Sequence, residues 1–253
     1  MPSSPASSSS NPAPLAARCL GCGREFETVQ VVLLGQTFAA ERYCDLCRAA
    51  EEVAEEQRLA DLRWSRVGVP SGYEQCTFEN FEPAAGTTTA VEVCRQWVKE
   101  YRAGTALHRG LLLRGRPGAG KTHLAVAMLH QLVWSDHPRS ALFINVPQWL
   151  DALRESYGEG EPPASPSGFD ILVLDDLGAE DWSSPWTRDR IYQILNHREQ
   201  ARLLMIVTTN CGWGELGSRI GGPSASRLRR LCRDVEVEAQ QDFREILVER
   251  NAA

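Results

Sequence analysis

The sequence predicts an α/β fold, a mostly parallel β-sheet covered by helices on both faces, preceded by a small cysteine-rich module. Three observations predict it. Five short apolar runs alternate with helix-length runs between residues 111 and 238, the pattern of repeated βα units. One of those runs feeds a glycine-rich turn that opens directly onto a helix. Ahead of them, four of the eight cysteines fall into two Cys-x-x-Cys pairs.

At the front, residues 1–17 (MPSSPASSSSNPAPLAA) are rich in Ser, Pro and Ala and hold no charged side chain. Such a stretch has too little apolar surface to offset the entropy of ordering, so it reads as a disordered tail. It also lacks the charged start and apolar centre of an export signal. No apolar run approaches the roughly 18–20 residues of a membrane span. The expected location is the cytoplasm, with no membrane partner; there cysteines act as metal ligands or free thiols more often than as disulfides. The net charge of −6 excludes a globally basic surface, so any contact with nucleic acid must be local.

Residues 18–48 read as a zinc ribbon. Cys19 and Cys22 in CLGC, and Cys44 and Cys47 in CDLC, supply four thiolates in pairs whose short turns can aim both sulfurs at one tetrahedral ion. Gly23 permits the tight knuckle after the first pair. The 21-residue spacer reads as two short strands about Gly35-Gln36. A module of this size cannot build a sufficient apolar core, which favours a structural ion. The alternative is a set of unconnected reduced thiols. Cys76, Cys94, Cys211 and Cys232 have no ligand spacing and read as core or incidental residues. Residues 49–69 are charged and rich in helix formers until Gly68 and Pro70, so they read as a solvated linking helix.

The main domain is expected over residues 70–253. Its glycine-rich turn, GRPGAGKT from Gly115 to Thr122, satisfies G-x-x-x-x-G-K-[ST] between an apolar strand and a helix. That is a phosphate-binding P-loop: backbone N–H groups at a helix N-terminus cradle phosphates, aided by the dipole. Gly115, Pro117, Gly118, Ala119 and Gly120 form the loop, and His123 follows it. Lys121 reaches the β- and γ-phosphates and the Thr122 hydroxyl ligates Mg²⁺, so ATP and Mg²⁺ are the expected ligands.

A second run, FDILVLDDLGAE (Phe169–Glu180), is an apolar strand ending in two acids, the form of a Walker B strand. Asp175 is expected to hold Mg²⁺ and Asp176 to orient or deprotonate the attacking water. A third strand ends at Asn210, which can bond the attacking water or the γ-phosphate; its alternative role is a strand-end turn. Strands are expected at Leu111–Arg114, Ala141–Val146, Asp170–Leu174, Leu203–Thr208 and Asp234–Glu238. Helices are expected at about Lys121–Trp134, Gln148–Tyr157 and Ser184–Ala201, the last with Ser184 as cap and Pro185 in its first turn. The Pro/Gly-rich stretch Gly158–Gly168 reads as a loop.

Together GKTHLA (Gly120–Ala125), LVLDDLGAE (Leu172–Glu180), IYQILNHR (Ile191–Arg198), IVTTN (Ile206–Asn210) and SRL (Ser226–Leu228) resemble the additional-strand ATPases (AAA+). Within that class they are similar to bacterial helicase loaders of the DnaC/DnaI type and to transposition ATPases of the IstB type. YEQCTFENF (Tyr73–Phe81) is similar to the family segment beside adenine. The resemblance implies strand order 5-1-4-3-2 and places Arg227 at the arginine finger, which completes a neighbour's site and so implies an ATP-dependent oligomer. The family usually carries another arginine four residues earlier; here Arg219 stands eight before, with GGPS between. Arg227 also lies in the basic run RLRRLCR, where contact with a DNA phosphate is the alternative. Only 26 residues follow Arg227, so no C-terminal helical lid is expected.

The implied function is a helicase-loader-type ATPase that assembles on single-stranded DNA, with hydrolysis as a switch. Its amino-terminal module would grip a hexameric replicative helicase, as zinc modules do in some loader-like proteins. The alternatives are an IstB-like transposition ATPase on duplex DNA, or an adaptor that holds nucleotide with little turnover.

Overall fold

The computed structural model describes residues 14–82, 86–105, 109–135, 139–157, 161–180, 182 and 184–239. The chain divides into two units, Met1–Asp61 and Leu62–Ala253.

In the first unit, strands β1 (Pro14–Arg18), β2 (Glu25–Leu33) and β3 (Gln36–Ala39) form an antiparallel sheet in the order β1-β2-β3. The expected disordered tail is thus corrected at residues 14–17. Their backbone is paired with β2, from Pro14↔Val29 to Ala17↔Phe26, and composition alone cannot see a partner so far along the chain. Residues 1–13 lie outside the described residues. The β2–β3 turn falls on Leu34-Gly35, both with positive φ, rather than on Gly35-Gln36. Helix α1 (Asp45–Ser65) begins inside the second cysteine pair, earlier than the linker expected from residue 49.

In the second unit, β4 (Gly110–Arg114), β5 (Ala141–Asn145), β6 (Ile171–Asp175), β7 (Leu204–Thr209) and β8 (Cys232–Glu236) form a parallel sheet in the order β5-β6-β7-β4-β8. Counted within the sheet this is 5-1-4-3-2, as the resemblance implied. Successive strand residues face opposite cores. Leu111 and Leu113 pack with α2 (Thr88–Arg102) and α3 (Lys121–Val133), whereas Leu112 packs with α4 (Val146–Ser156), α5 (Pro185–Gln200), α6 (Trp213–Ile220) and α7 (Gly222–Leu231). Burial on both faces explains why the strands read as continuous apolar runs.

Helices α2, α6 and α7 were not expected from sequence, and β8 starts two residues before the predicted strand. Helix α4 starts at Val146 because Asn145 Oδ1 accepts from Gln148 N at 3.3 Å, capping it earlier than predicted. Ser184 stands at the N-cap position of α5, but its side chain makes no cap hydrogen bond. In the predicted loop, residues 158–160 lie outside the described residues, and Pro166–Gly168 form a 3-10 turn on buried Pro166. Residues 240–253, where the expectation about a lid falls, are also outside them.

Arg198, fully buried, fastens the starts of β6 and β7. Its guanidinium donates to the carbonyls of Phe169 (2.6 Å), Asp170 (2.8 Å) and Leu204. Burial lowers its pKa to about 10. The opposite, carboxyl ends of the neighbouring strands β6, β7 and β4 carry the sequence-predicted nucleotide residues.

Candidate nucleotide-binding and metal sites

Gly118 and Gly120 both have positive φ, +73° and +87°, which lets the loop turn its amides inward before α3 begins at Lys121. Lys121 is buried, and its Nζ donates to the carbonyl of Arg116 at 2.7 Å, inside the loop. Pro117 to His123 line a cavity of about 380 Å³. Gly115 does not line it. A Cβ there would lie 2.3 Å from the carbonyl oxygen of Val237, so this glycine admits the close passage of the chain after β8.

Beneath the loop, Thr122 Oγ1 donates to Asp175 Oδ1 at 2.8 Å, joining residues 53 apart in sequence. Thr208 Oγ1 donates to the same oxygen at 2.7 Å. Asp175 is only 4% exposed. Burial pushes its carboxyl pKa up and the charge of Asp176 adds to this, while the hydroxyls of Thr208 and Thr122 oppose it. Two hydroxyls converging on a buried carboxylate make an oxygen-rich corner, the donor chemistry that suits Mg²⁺.

Asp176 sits at the cavity wall with φ +56°, uncommon for a residue with a side chain. Its N–H donates to Thr208 Oγ1 at 2.9 Å, and its Oδ1 accepts from Asn210 Nδ2 at 3.4 Å. Asn210 also lines the cavity. A carboxylate and an amide side by side on this wall can accept a proton from, and orient, a water facing the phosphate loop.

The far side of the cavity is formed by Tyr73, Cys76, Asn80 and Phe81, from the segment assigned by resemblance to the adenine. Thr77 and Asn80 fix this loop reciprocally, Asn80 Oδ1 accepting from Thr77 N at 2.8 Å and Thr77 Oγ1 accepting from Asn80 N at 3.3 Å. His123 clamps it to α3: Nε2 lies 2.8 Å from the Thr77 carbonyl, and the ring stands edge-on to Phe81 at 5.0 Å. Burial pushes the His123 pKa down, against the bond to the Thr77 carbonyl, which raises it; towards that carbonyl Nε2 is the donor. Cys94, Cys211 and Cys232 are buried as expected, whereas Cys76 is part of the cavity wall. Thr208 was missed altogether.

Arg227 is not among the residues lining its own chain's cavity. It lies on α7 against α5, its guanidinium 4.6 Å above the Tyr192 ring, with bonds to Asn196 Oδ1 (3.2 Å) and Tyr192 Oη (3.1 Å) and an ion pair to Glu199 (3.3 Å). Arg219 reaches the turn after β6, donating to the Gly178 carbonyl, and pairs with Glu215 at 2.5 Å.

With this geometry in place, the family comparison is decisive: the description "IstB-like ATP binding protein" matches residues 89–240, more than half the chain. The chain belongs to the IstB-like ATP binding family. Among its relatives, the replicative helicase loader DnaC of Escherichia coli K12 is 27% identical over 172 residues, covering 66% of this chain and 68% of DnaC. The replicative helicase loader DnaI of Bacillus subtilis is 25% identical over 193 residues, covering 74% of this chain and 60% of DnaI. The crystal structure of the DnaC helicase loader superposes with a TM-score of 0.59 at 25% identity, covering 67% of this chain and all of that one. AMPPCP-bound DnaA from Aquifex aeolicus, at 20% identity and TM-score 0.56 over 73% of this chain and 56% of its own, shares the fold. The IstB-like unit therefore has the AAA+ P-loop architecture.

In the first unit, the sulfurs of Cys19, Cys22, Cys44 and Cys47 all lie within 4.8 Å of one another, those of Cys22 and Cys44 at 3.7 Å. Zn–S bonds of about 2.3 Å in a tetrahedron put sulfurs roughly 3.8 Å apart, so the donor set fits zinc. The Cys44 amide donates to Cys19 Sγ at 3.3 Å. That bond, ahead of other backbone donors, lowers the Cys19 pKa to about 6, while hydrogen bonds with the neighbouring thiols raise Cys47 to about 12. Four adjacent thiolates repel one another unless a cation sits among them.

Proposed function

We propose that this protein is an ATP-hydrolysing helicase loader. The observation that carries the reading is the likeness to DnaC over 68% of that protein, joined to a site in which Thr122, Asp175, Asp176 and Asn210 converge beside the P-loop. Lys121 binds the β- and γ-phosphates, and the loop amides hold the remaining oxygens. Thr122 and Asp175 would hold Mg²⁺, which supplies charge neutralisation to the phosphates when bound. Asp176 orients and deprotonates the attacking water and Asn210 bonds to it. Attack breaks the anhydride bond to the γ-phosphate, giving ADP and phosphate. Arg227 completes a neighbouring protomer's site, so hydrolysis depends on an ATP-driven oligomer on single-stranded DNA. Zinc on Cys19, Cys22, Cys44 and Cys47 holds the amino-terminal module, which grips a hexameric replicative helicase. Hydrolysis switches that grip off. The site of action is the cytoplasm; among the described residues no helix is long and apolar enough to cross a membrane.

The test is size-exclusion chromatography of the protein with the replicative helicase of its own organism, in ATP and in ADP, beside a Lys121→Ala variant. A complex that forms in ATP and weakens in ADP or with Lys121→Ala is the expected result. A second reading, consistent with membership of the IstB-like ATP binding family, is an IstB-like transposition ATPase acting on duplex DNA. No helicase complex, with ATP-dependent filaments on duplex DNA, would select it.

A further inference from the structure

Thr208 carries one hydroxyl, which donates to one acid of the site and accepts from the backbone of the other. It donates to Asp175 Oδ1 at 2.7 Å and accepts from the backbone N–H of Asp176 at 2.9 Å. The side chain is fully buried, so water cannot replace either bond. Its carbonyl accepts from the next amide, Leu177 N, at 3.0 Å, and Thr209 Oγ1 donates to the Leu177 carbonyl at 2.6 Å. The tip of β7 thus grips three backbone polar groups of the turn that carries Asp176, the amides of residues 176 and 177 and the Leu177 carbonyl, at the point where φ is +56°. A left-handed aspartate costs energy and persists where its surroundings over-determine it.

We propose that Thr208 is a positioning residue for hydrolysis, its hydroxyl locking the Asp176 backbone to the Asp175 carboxylate so that the two acids keep one fixed relation. The two acids have different tasks in the proposed reaction, and only their relative placement makes both usable on one phosphate. Thr122 shares the Asp175 oxygen, but it lines the cavity and its hydroxyl is the one expected to turn towards a bound ion. Thr208 faces only protein and can hold Asp175 throughout. This role rests on the ATPase reading of the site.

The test compares Thr208→Val, which keeps the branched shape and deletes the hydroxyl, with Thr208→Ser, which keeps the hydroxyl. Binding of a fluorescent ATP analogue with Mg²⁺ should stay within about threefold in both variants, while kcat falls at least tenfold in Thr208→Val and is largely restored in Thr208→Ser. Equal turnover in Thr208→Val and wild type, or no rescue by Thr208→Ser, overturns the proposal. An inactive wild-type protein would instead count against the ATPase reading. Hydrogen exchange then decides for Thr208 separately: amides 176–179 should exchange faster in Thr208→Val and at the native rate in Thr208→Ser. Unchanged protection in Thr208→Val overturns the lock whatever the turnover. Should Thr208→Val not fold, Thr208→Ser alone still tests it, because a fold-competent serine variant with tenfold lower kcat refutes a role carried by the hydroxyl.

Discussion

Gly120 abuts Phe81: a Cβ added at the glycine would lie 2.6 Å from Cε2 of the ring. The contact joins the last loop glycine to the segment across the cavity, and it rests on a φ of +87° that disfavours any side chain. Gly120→Ala therefore meets two separate obstacles. It should lower stability by about 1–3 kcal/mol and weaken ATP binding at least tenfold. Adding Phe81→Ala removes the clash and leaves the backbone strain, so the double variant should bind better than Gly120→Ala and worse than wild type. Titration of a fluorescent nucleotide into the four proteins measures this cycle. Full recovery in the double variant would mean the dihedral does not matter.

Arg198→Met should be among the most destabilising single changes in the second unit. The guanidinium is buried and bonds to three carbonyls. Methionine fills similar space and leaves those carbonyls short of donors, at a cost of about 2–4 kcal/mol. Thermal melts should show a Tm lower by roughly 5–15 °C for a unit of this size. Arg198→Lys should recover only part of the loss, since a single ammonium cannot span all three acceptors as a planar fork does. A Tm within 2 °C or so of wild type for Arg198→Met would contradict the fastening role.

The phosphate loop, the acid-ended strand and the two cysteine pairs were legible because each is a local pattern whose chemistry is fixed by spacing. The elements that escaped depend on partners distant in the chain. β1 exists through its register with β2, and residues 14–17 show nothing of it by composition. Thr208 reads as an ordinary β-branched strand residue. Its role emerges only when β6 and β7 pair from Ile171↔Leu204 to Leu174↔Val207, which brings it alongside Asp175. Cys76 had no spacing of its own to read, and only the resemblance of its segment, Tyr73–Phe81, put it near the site; the loop fixed by Thr77 and Asn80 is what places it in the cavity wall. Arg198 lay inside a recognisable stretch, yet nothing in its neighbours announced a buried guanidinium.

Glu180 makes stability depend on pH. One oxygen accepts from Gly178 N at 2.7 Å, and Oε1 is buried with no hydrogen-bond partner among the described residues. Burial, with a contribution from the charge of Asp176, raises its pKa to about 7 from an ordinary 4.5. The folded state therefore binds the proton more tightly than the unfolded state. This favourable linkage is complete below about pH 4.5 and is lost as pH rises through about 7, a change of up to about 3 kcal/mol. Glu180→Gln keeps an acceptor for the Gly178 amide and removes the titration. Chemical denaturation at pH 5, 6, 7 and 8 should show wild type losing stability relative to Glu180→Gln as pH rises, with the variant the more stable at pH 8. Parallel curves for the two proteins would rule out a raised Glu180 pKa.

Arg227 offers the sharpest test of the oligomer, because it has a structural role and a proposed catalytic one that predict different things. Within its own chain it braces α7 on α5 through Tyr192, Asn196 and Glu199. Arg227→Ala should lose that brace and cost about 1 kcal/mol, since the ion pair with Glu199 is partly exposed. A bracing residue alone would leave hydrolysis per folded protomer nearly intact. A finger acting on a neighbour would instead lower kcat by about 10³-fold or more, with ATP binding little changed. Mixing separates the two. Arg227→Ala retains its own Asp176 and lacks a finger to give; Asp176→Asn retains the finger and cannot use its own site. Mixed oligomers should therefore contain interfaces where an intact acid meets an intact finger, and ATP turnover should rise above either variant alone, peaking at intermediate ratios. Turnover that stays flat across all ratios would leave Arg227 with the brace only, and the basic run in α7 would then be tested for contact with a DNA phosphate by salt-dependent binding.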